Sequence, residues 1–376
     1  MKGLLQNALL LGVVVVACAL LAEGALRIGL PEDTSGWRGV PALEDRVEDL
    51  PEAKQGQLRL LAIGDSFTEY RDHVGENWVR YAEERVRVSG RDVVAMNLGQ
   101  MGTGPRHYLK NLRDFGEAAR PDVVLVGLYL GNDLLDYELD LVKARAGHEP
   151  TPVITRGRRS AGLSGAVKRG SRLVTTVLDV VSAARGGGTF APNLSHAKSL
   201  YQLSDDEVQR RLSRIAPEVR ELAERDGINT WDLAFGVAAP DRYRRLLFLE
   251  GEDINQGLAA FLKDLEAIDQ QSRVLGAKAV FLLIPIGPQV DPRYRAYFEK
   301  VGFTTSDEMA GDTPLVARLR AFFDEKGLAF VDPLPALKAS PDELYLPMDT
   351  HWSVKAQRIA GEAVAEVLTE RGLLER

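Results

Sequence analysis

Four short segments of the sequence carry side chains that together could break an ester bond. Gly64-Asp65-Ser66-Phe67-Thr68 offers a serine hydroxyl, a weak nucleophile until a base takes its proton. Asp349-Thr350-His351-Trp352 offers such a base. The chain has five histidines, His73, His107, His148, His196 and His351, and only His351 has a carboxylate two residues earlier in a short loop directly before a helix. A carboxylate bonded to one ring nitrogen fixes the imidazole tautomer and stabilises the imidazolium. The other two segments offer donors for the charge that develops on the attacked carbonyl. Asn132 in Gly131-Asn132-Asp133 has a side-chain amide, and Gly102 in Asn97-Leu98-Gly99-Gln100-Met101-Gly102-Thr103-Gly104 has a backbone N–H free of steric cover. The backbone N–H of Ser66 is a third donor. Singly, each segment reads as well as a capping serine, a glycine turn, a polar turn or a surface Asp–His pair. The glycine segment lacks the Lys-Ser/Thr that a phosphate loop requires, and Asp133 reads as a residue that holds its loop.

The elements that must position these groups are strands. Leu58–Ile63, Val93–Met96, Asp122–Leu130, Ala279–Pro285 and Leu328–Val331 are short apolar runs. The near-continuous DVVLVGLYL suits a central parallel strand buried on both faces. Helical patterns alternate with the strands at about 78–88, 106–118, 256–275, 313–325 and 354–369. Alternation of this kind predicts a doubly wound, mostly parallel α/β sheet flanked by helices. In such sheets sites form outside the carboxyl ends of the strands, where three of the four segments fall. The stretch from about 138 to 250 breaks the alternation and reads as an insertion or lid. Within it, residues 143–173 carry eight Lys or Arg against one acid, Glu149. That run suits either a solvated loop or contact with an anionic lipid or polymer.

Taken together and in this order, the four segments resemble those of the SGNH (GDSL-like) hydrolase superfamily, over about residues 58–136 and 276–370. The resemblance implies a flavodoxin-like three-layer fold. It makes Ser66 the nucleophile, His351 the base and Asp349 its orienting carboxylate. It places Ser66 N–H, Gly102 N–H and the Asn132 amide in the oxyanion hole. The common spacing of the superfamily is Asp-x-x-His, whereas this chain has Asp-x-His followed by Trp. The shorter form is similar to a membrane-tethered bacterial branch that includes polysaccharide acetylating relatives. The implied reaction is ester hydrolysis or O-acyl transfer on an acylated carbohydrate or another small ester, with no metal or organic cofactor. In the transferase form it implies an acyl-donor partner at the membrane.

Two rivals use the same residues. In a metal-dependent phosphoesterase Asp65, Asp133, Asp349 and His351 would be ligands, but there the Asp-x-His comes first and its Gly-Asn motif continues with His. A catalytically idle domain serving polysaccharide binding or assembly would not need every one of these groups.

Composition narrows the setting. The chain has 376 residues, 45% of them hydrophobic, with a net charge of -7. The acidic balance offers no basis for nucleic-acid binding. The single cysteine, Cys18, excludes an intrachain disulfide. Gly3–Ala22 is a run of 20 uncharged, mainly apolar residues behind Lys2, long enough to span a bilayer. It reads as an uncleaved signal anchor over residues 1–30, with a polar linker at 31–56 and the domain from 57 to 376 outside the cytoplasm. A cleaved signal peptide, a lipoprotein signal around Val15-Val16-Ala17-Cys18 and a buried helix are its alternatives.

Overall fold

The computed structural model describes residues 43–52, 54–70, 75–145 and 188–375. All of these except Gly188 belong to one compact unit. The expected anchor at 1–30 and most of the basic run at 143–173 lie outside the described residues. Among the described residues, no helix is long and apolar enough to cross a membrane.

Five strands form one sheet: β1 (Leu58–Gly64), β2 (Val93–Asn97), β3 (Val123–Tyr129), β4 (Lys278–Ile284) and β5 (Ala329–Val331). Their order is β2-β1-β3-β4-β5, and every pairing is parallel. β1 and β3 are buried along their whole length, so β3 is an unbroken apolar run and β1 is interrupted only by Arg59, whose guanidinium donates to the carbonyls of Ala119 and Pro51. The chain runs outward from β1 to β2, then returns across β1 to β3. The strand order therefore reverses between β2 and β3, and a crevice opens at the carboxyl end of β1.

The helices that matter for the site are α1 (Ser66–Glu69), α2 (Trp78–Val88), α3 (Pro105–Ala119), α4 (Leu135–Arg145), α5 (Thr230–Ala238), α6 (Arg242–Phe248), α7 (Glu252–Val274), α8 (Pro314–Lys326) and α9 (Val354–Glu370). Helices α2 and α9 pack on each other, and α3 and α4 pack on α7. The Gln357 side chain accepts the N–H of Trp78 at 3.0 Å, so α9 completes the first turn of α2. That contact ties the helix following His351 to the segment following Ser66.

Two stretches take definite form in the fold. Within the expected linker, Leu43–Glu48 is a helix with Leu43 buried. Pro41 and Pro51 bracket this segment, and its apolar residues Leu43, Val47 and Leu50, which pack on the core, make too short a pattern to stand out between them. Within the expected insertion, the described part is a series of short helices from Phe190 to Phe248, and these pack on the core that surrounds the sheet.

The turn leaving β1 depends on two glycines paired across neighbouring strands, Gly64 and Gly127. The Thr68 side chain lies over both. A Cβ on Gly127 would stand 2.3 Å from Thr68 Oγ1, and one on Gly64 would stand 2.0 Å from it. The buried Thr68 hydroxyl has no hydrogen-bond partner, so packing, not polarity, fills this space. Gly127→Ala is expected to destabilise the fold by about 1–3 kcal/mol through overpacking. Thr68→Ala should recover most of that loss, because it removes the clashing atom without breaking a hydrogen bond. Thermal unfolding of the two single variants and the double variant measures the coupling.

Candidate active site

Ser66 is the first residue of α1, immediately beyond β1. The Asp65 carboxylate caps this short helix by accepting the Phe67 N–H at 2.9 Å. The far end of a four-residue helix leaves its carbonyls without helical partners, and two asparagine amides supply them. Asn77 donates to the carbonyls of Thr68 and Tyr70 at 2.8 and 2.6 Å, and Asn97 donates to that of Thr68 at 2.6 Å. The serine therefore sits on a turn clamped at both ends.

The glycine segment is fixed against the same helix. Asn97 Oδ1 accepts the Gly99 N–H at 2.8 Å, and Glu69 accepts the Met101 N–H at 2.7 Å. Arg46 donates to the carbonyls of Asn97 and Gly99 and pairs with Glu69 at 3.3 Å. Gly102 is exposed, with φ of 70°, a left-handed conformation that favours glycine.

Beyond β3, Asp133 accepts the Tyr129 N–H at 3.0 Å and the Tyr108 hydroxyl at 2.9 Å. It is occupied in holding the turn, as its sequence context suggests. The Asn132 amide nitrogen donates to Asp65 at 3.3 Å and keeps its second hydrogen for another acceptor. The buried Arg242 donates to the Gly131 carbonyl at 2.9 Å and lies over the Phe235 and Tyr243 rings.

The loop before α9 brings His351 to the serine. Tyr345 and Trp352 form an antiparallel bridge, and the Leu346 N–H donates to the His351 carbonyl at 3.0 Å. Trp352 is fully buried with its ring edge on Phe67. The imidazole stacks against Phe67 at 4.7 Å and Tyr70 at 5.7 Å between ring centroids. Its Nε2 lies 2.9 Å from Ser66 Oγ, and its Nδ1 lies 2.5 Å from Asp349 Oδ1. The same Asp349 oxygen accepts the His351 backbone N–H at 3.0 Å. The one-residue spacing thus lets a single oxygen grip both the ring and the backbone of the histidine. With Nδ1–H donating to Asp349, Nε2 is left as the acceptor for the serine proton. Asp65 is 3.5 Å from Ser66 Oγ, at the limit of hydrogen bonding, so His351 is the nearer base.

Three carboxylates surround this imidazole. Burial works against charge on His351, but Asp349, Asp232 and Asp65 outweigh it and hold the ring above its ordinary value. For Asp349, burial acts upward, yet the His351, Asn229 and backbone contacts keep it below the usual carboxylate range. Burial pushes Asp65 up to about 6. Among the described residues no cluster of three or more His, Cys, Asp or Glu has a geometry that would hold a metal ion.

Three contributors carry no signal in the four segments. Asn229 donates its amide to Asp349 Oδ1 at 3.0 Å. Asp232 accepts the N–H and the hydroxyl of Thr350, and Tyr297 donates toward both Asp232 and the Met348 carbonyl. Asn229 was legible as the cap of α5, since Asn-Thr before an apolar run is a helix start, but nothing in the sequence ties that cap to residue 349.

Residues 245–376 match the family model described as SGNH hydrolase-like domain, acetyltransferase AlgX. This portion holds Asp349 and His351, and the structure sets beside them the serine, glycine and asparagine segments in the order of the superfamily. Residues 245–376 thus resemble an SGNH hydrolase-like domain. Solved structures similar to this chain include an acetylxylan esterase from Geobacillus stearothermophilus, crystallised as a catalytic mutant, at 12% identity over 84% of this chain and 96% of that one, TM-score 0.39. A GDSL-like lipase from Bacteroides thetaiotaomicron has 9% identity over 87% and 96%, TM-score 0.36. A member of the lipolytic G-D-S-L family from Veillonella parvula has 12% identity over 83% and 98%, TM-score 0.37. Among curated proteins there is no match to this sequence.

The electrostatics give a direct expectation. His351 should titrate above about 6.5, the ordinary histidine value, and Asp349→Asn should bring it down. Its folded value is raised, so its stabilising contribution is complete below the unfolded value and is lost as pH rises through the folded one. Histidine ring NMR across a pH series checks both statements; a wild-type value at or below the ordinary one would contradict them.

Proposed function

We propose that this protein is a serine-dependent esterase or O-acyltransferase, with Ser66 as nucleophile, His351 as general base and then acid, and Asp349 as the orienting carboxylate. The observation that carries the reading is the hydrogen-bonded chain from Ser66 Oγ through the imidazole to Asp349. His351 Nε2 takes the hydroxyl proton as Ser66 Oγ bonds to the ester carbonyl carbon. The backbone N–H groups of Ser66 and Gly102 and the remaining N–H of Asn132 bind the oxyanion. As the tetrahedral species collapses, the alcohol leaves with the proton from His351. Water or a second alcohol then attacks the acyl-serine, with His351 again as base. Water releases the acid and a sugar hydroxyl receives the acyl group.

The acetyltransferase description of the matched family supports acetyl as the acyl group, and the resemblance to polysaccharide-acetylating relatives supports a carbohydrate as donor or acceptor. The apolar run Gly3–Ala22 supports a single-pass anchor, with the domain outside the cytoplasm and within reach of a membrane-bound acyl donor. The metal phosphoesterase alternative loses support from Asp133, whose two oxygens are engaged by Tyr129 and Tyr108.

Hydrolysis of p-nitrophenyl acetate and of acetylated xylo-oligosaccharides by the full chain tests the reading. Ser66→Ala should abolish turnover while leaving the circular dichroism spectrum unchanged. Asn132→Ala should lower kcat by about 100- to 1,000-fold, the usual cost of one oxyanion donor, with KM little altered. Equal kcat in Asn132→Ala and wild type would remove Asn132 from the hole. The acidic limb of kcat/KM should have its midpoint above about 6.5, because the base must be neutral and its value is raised.

A further inference from the structure

The loop that carries Asp349 and His351 has one residue between them, Thr350, and that residue is almost entirely buried. Both of its polar donors go to one side chain. Asp232 Oδ2 accepts the Thr350 N–H at 3.2 Å, and Asp232 Oδ1 accepts its hydroxyl at 3.1 Å. Asp232 belongs to α5, which lies outside all four motif segments and outside the family-matched residues 245–376. Asn229, which caps α5, donates to Asp349 and also donates its backbone N–H to the Met348 carbonyl at 2.9 Å. Tyr297 completes the set, with its hydroxyl 2.9 Å from both Asp232 Oδ2 and the Met348 carbonyl. Residues 348, 349 and 350 are therefore each bonded to the first turn of α5 or to its cap.

We propose, resting on the serine-esterase reading above, that Asp232 is a positioning residue that fixes Thr350 and thereby sets the His351 imidazole in line with Ser66. A carboxylate suits the role better than any neutral group of its size. Ionised, it only accepts, and it has enough lone pairs for the three donors that converge on it. A buried acid at this place costs stability, which its position in the first turn of α5 offsets only in part through the helix dipole. It also faces the charge the reaction creates. Charged and titratable groups facing Asp232 are Asp349 and His351 from the loop, Tyr297, and Arg242 and Tyr243 from α6, with Tyr129 behind them. Those facing His351 are Asp349, Asp232 and Asp65, with the Tyr70 ring stacked on the imidazole. Burial, with Asp349 adding, pushes Asp232 up to about 7, and the same carboxylates raise His351.

The test uses the full chain with Asp232→Ala, Asp232→Asn and Thr350→Val, assayed on p-nitrophenyl acetate across pH. Asp232→Ala should lower kcat by about 100-fold, as a shift of about 1 Å between reacting groups does, with KM changed little. Asp232→Asn should recover at least about tenfold of that loss, because an amide still accepts at one position and the Thr350 hydroxyl can turn to accept at the other. In both Asp232 variants the acidic limb should move to lower pH, since one negative group facing the imidazole is gone. Thr350→Val, which removes only the hydroxyl bond, should reduce kcat less than Asp232→Ala. A wild-type kcat in Asp232→Ala, or an Asn variant no better than Ala with the acidic limb unmoved, overturns the proposal. If Asp232→Ala does not fold, the Asn and Val variants decide it by the same limb and the same kcat order. If the wild type hydrolyses no ester, the esterase reading fails separately. The His351 ring titration by NMR then decides the positioning claim: a lower value in Asp232→Asn upholds it and an unchanged value overturns it.

Discussion

One hydrogen bond joins the two ends of this domain chemically. His351 Nε2 meets Ser66 Oγ at 2.9 Å across 285 residues of sequence. The rest of the described structure can be understood as what that distance requires. The serine must leave β1 on a turn too tight for side chains at Gly64 and Gly127. The histidine must arrive on a loop pinned by a buried tryptophan and closed by a short β-bridge. Helix α9, which begins three residues after His351, is hydrogen-bonded to the start of α2, so both partners are referred to one rigid layer.

The second constraint is electrostatic. Acyl transfer by this route passes through an imidazolium, which burial opposes, and the site answers with acids at different tasks. Asp349 touches the ring, Asp65 caps the nucleophile helix and holds Asn132, and Asp232 binds the residue between Asp349 and His351. In the proposed reaction only Asp349 lies on the proton-transfer line. The other two act on geometry and add field, which explains how three acids can be buried close together. Asp65 and Asp232 accept donors on both oxygens, Asp349 accepts three on Oδ1, and burial raises the two outer acids to about 6 and about 7.

Much of this was legible in the sequence, for a physical reason. Central parallel strands are apolar on both faces, so β1, β3 and β4 announce themselves, and groups at their carboxyl ends share a crevice by topology alone. Ser66 and Asn132 follow β1 and β3 directly, and their neighbourhood was readable from strand order. The support around them was not. Asp232 and Arg242 sit on short helices in a stretch that reads as an insertion, where no period links a residue to a distant loop. Arg46 sits in a polar stretch between prolines, and its hold on the glycine segment depends on a long side chain reaching three acceptors. The one-residue Asp-x-His spacing looked like a departure. In the folded loop it lets one Asp349 oxygen bond both the ring and the backbone of His351.

Activation of Ser66 by His351 is tested by reaction with a fluorophosphonate, read by intact mass on wild type, Ser66→Ala and His351→Ala. A single adduct is expected on the wild type and none on either variant within the same exposure. A folded wild type that stays unmodified, or a Ser66→Ala variant that is modified as fast as wild type, would contradict it.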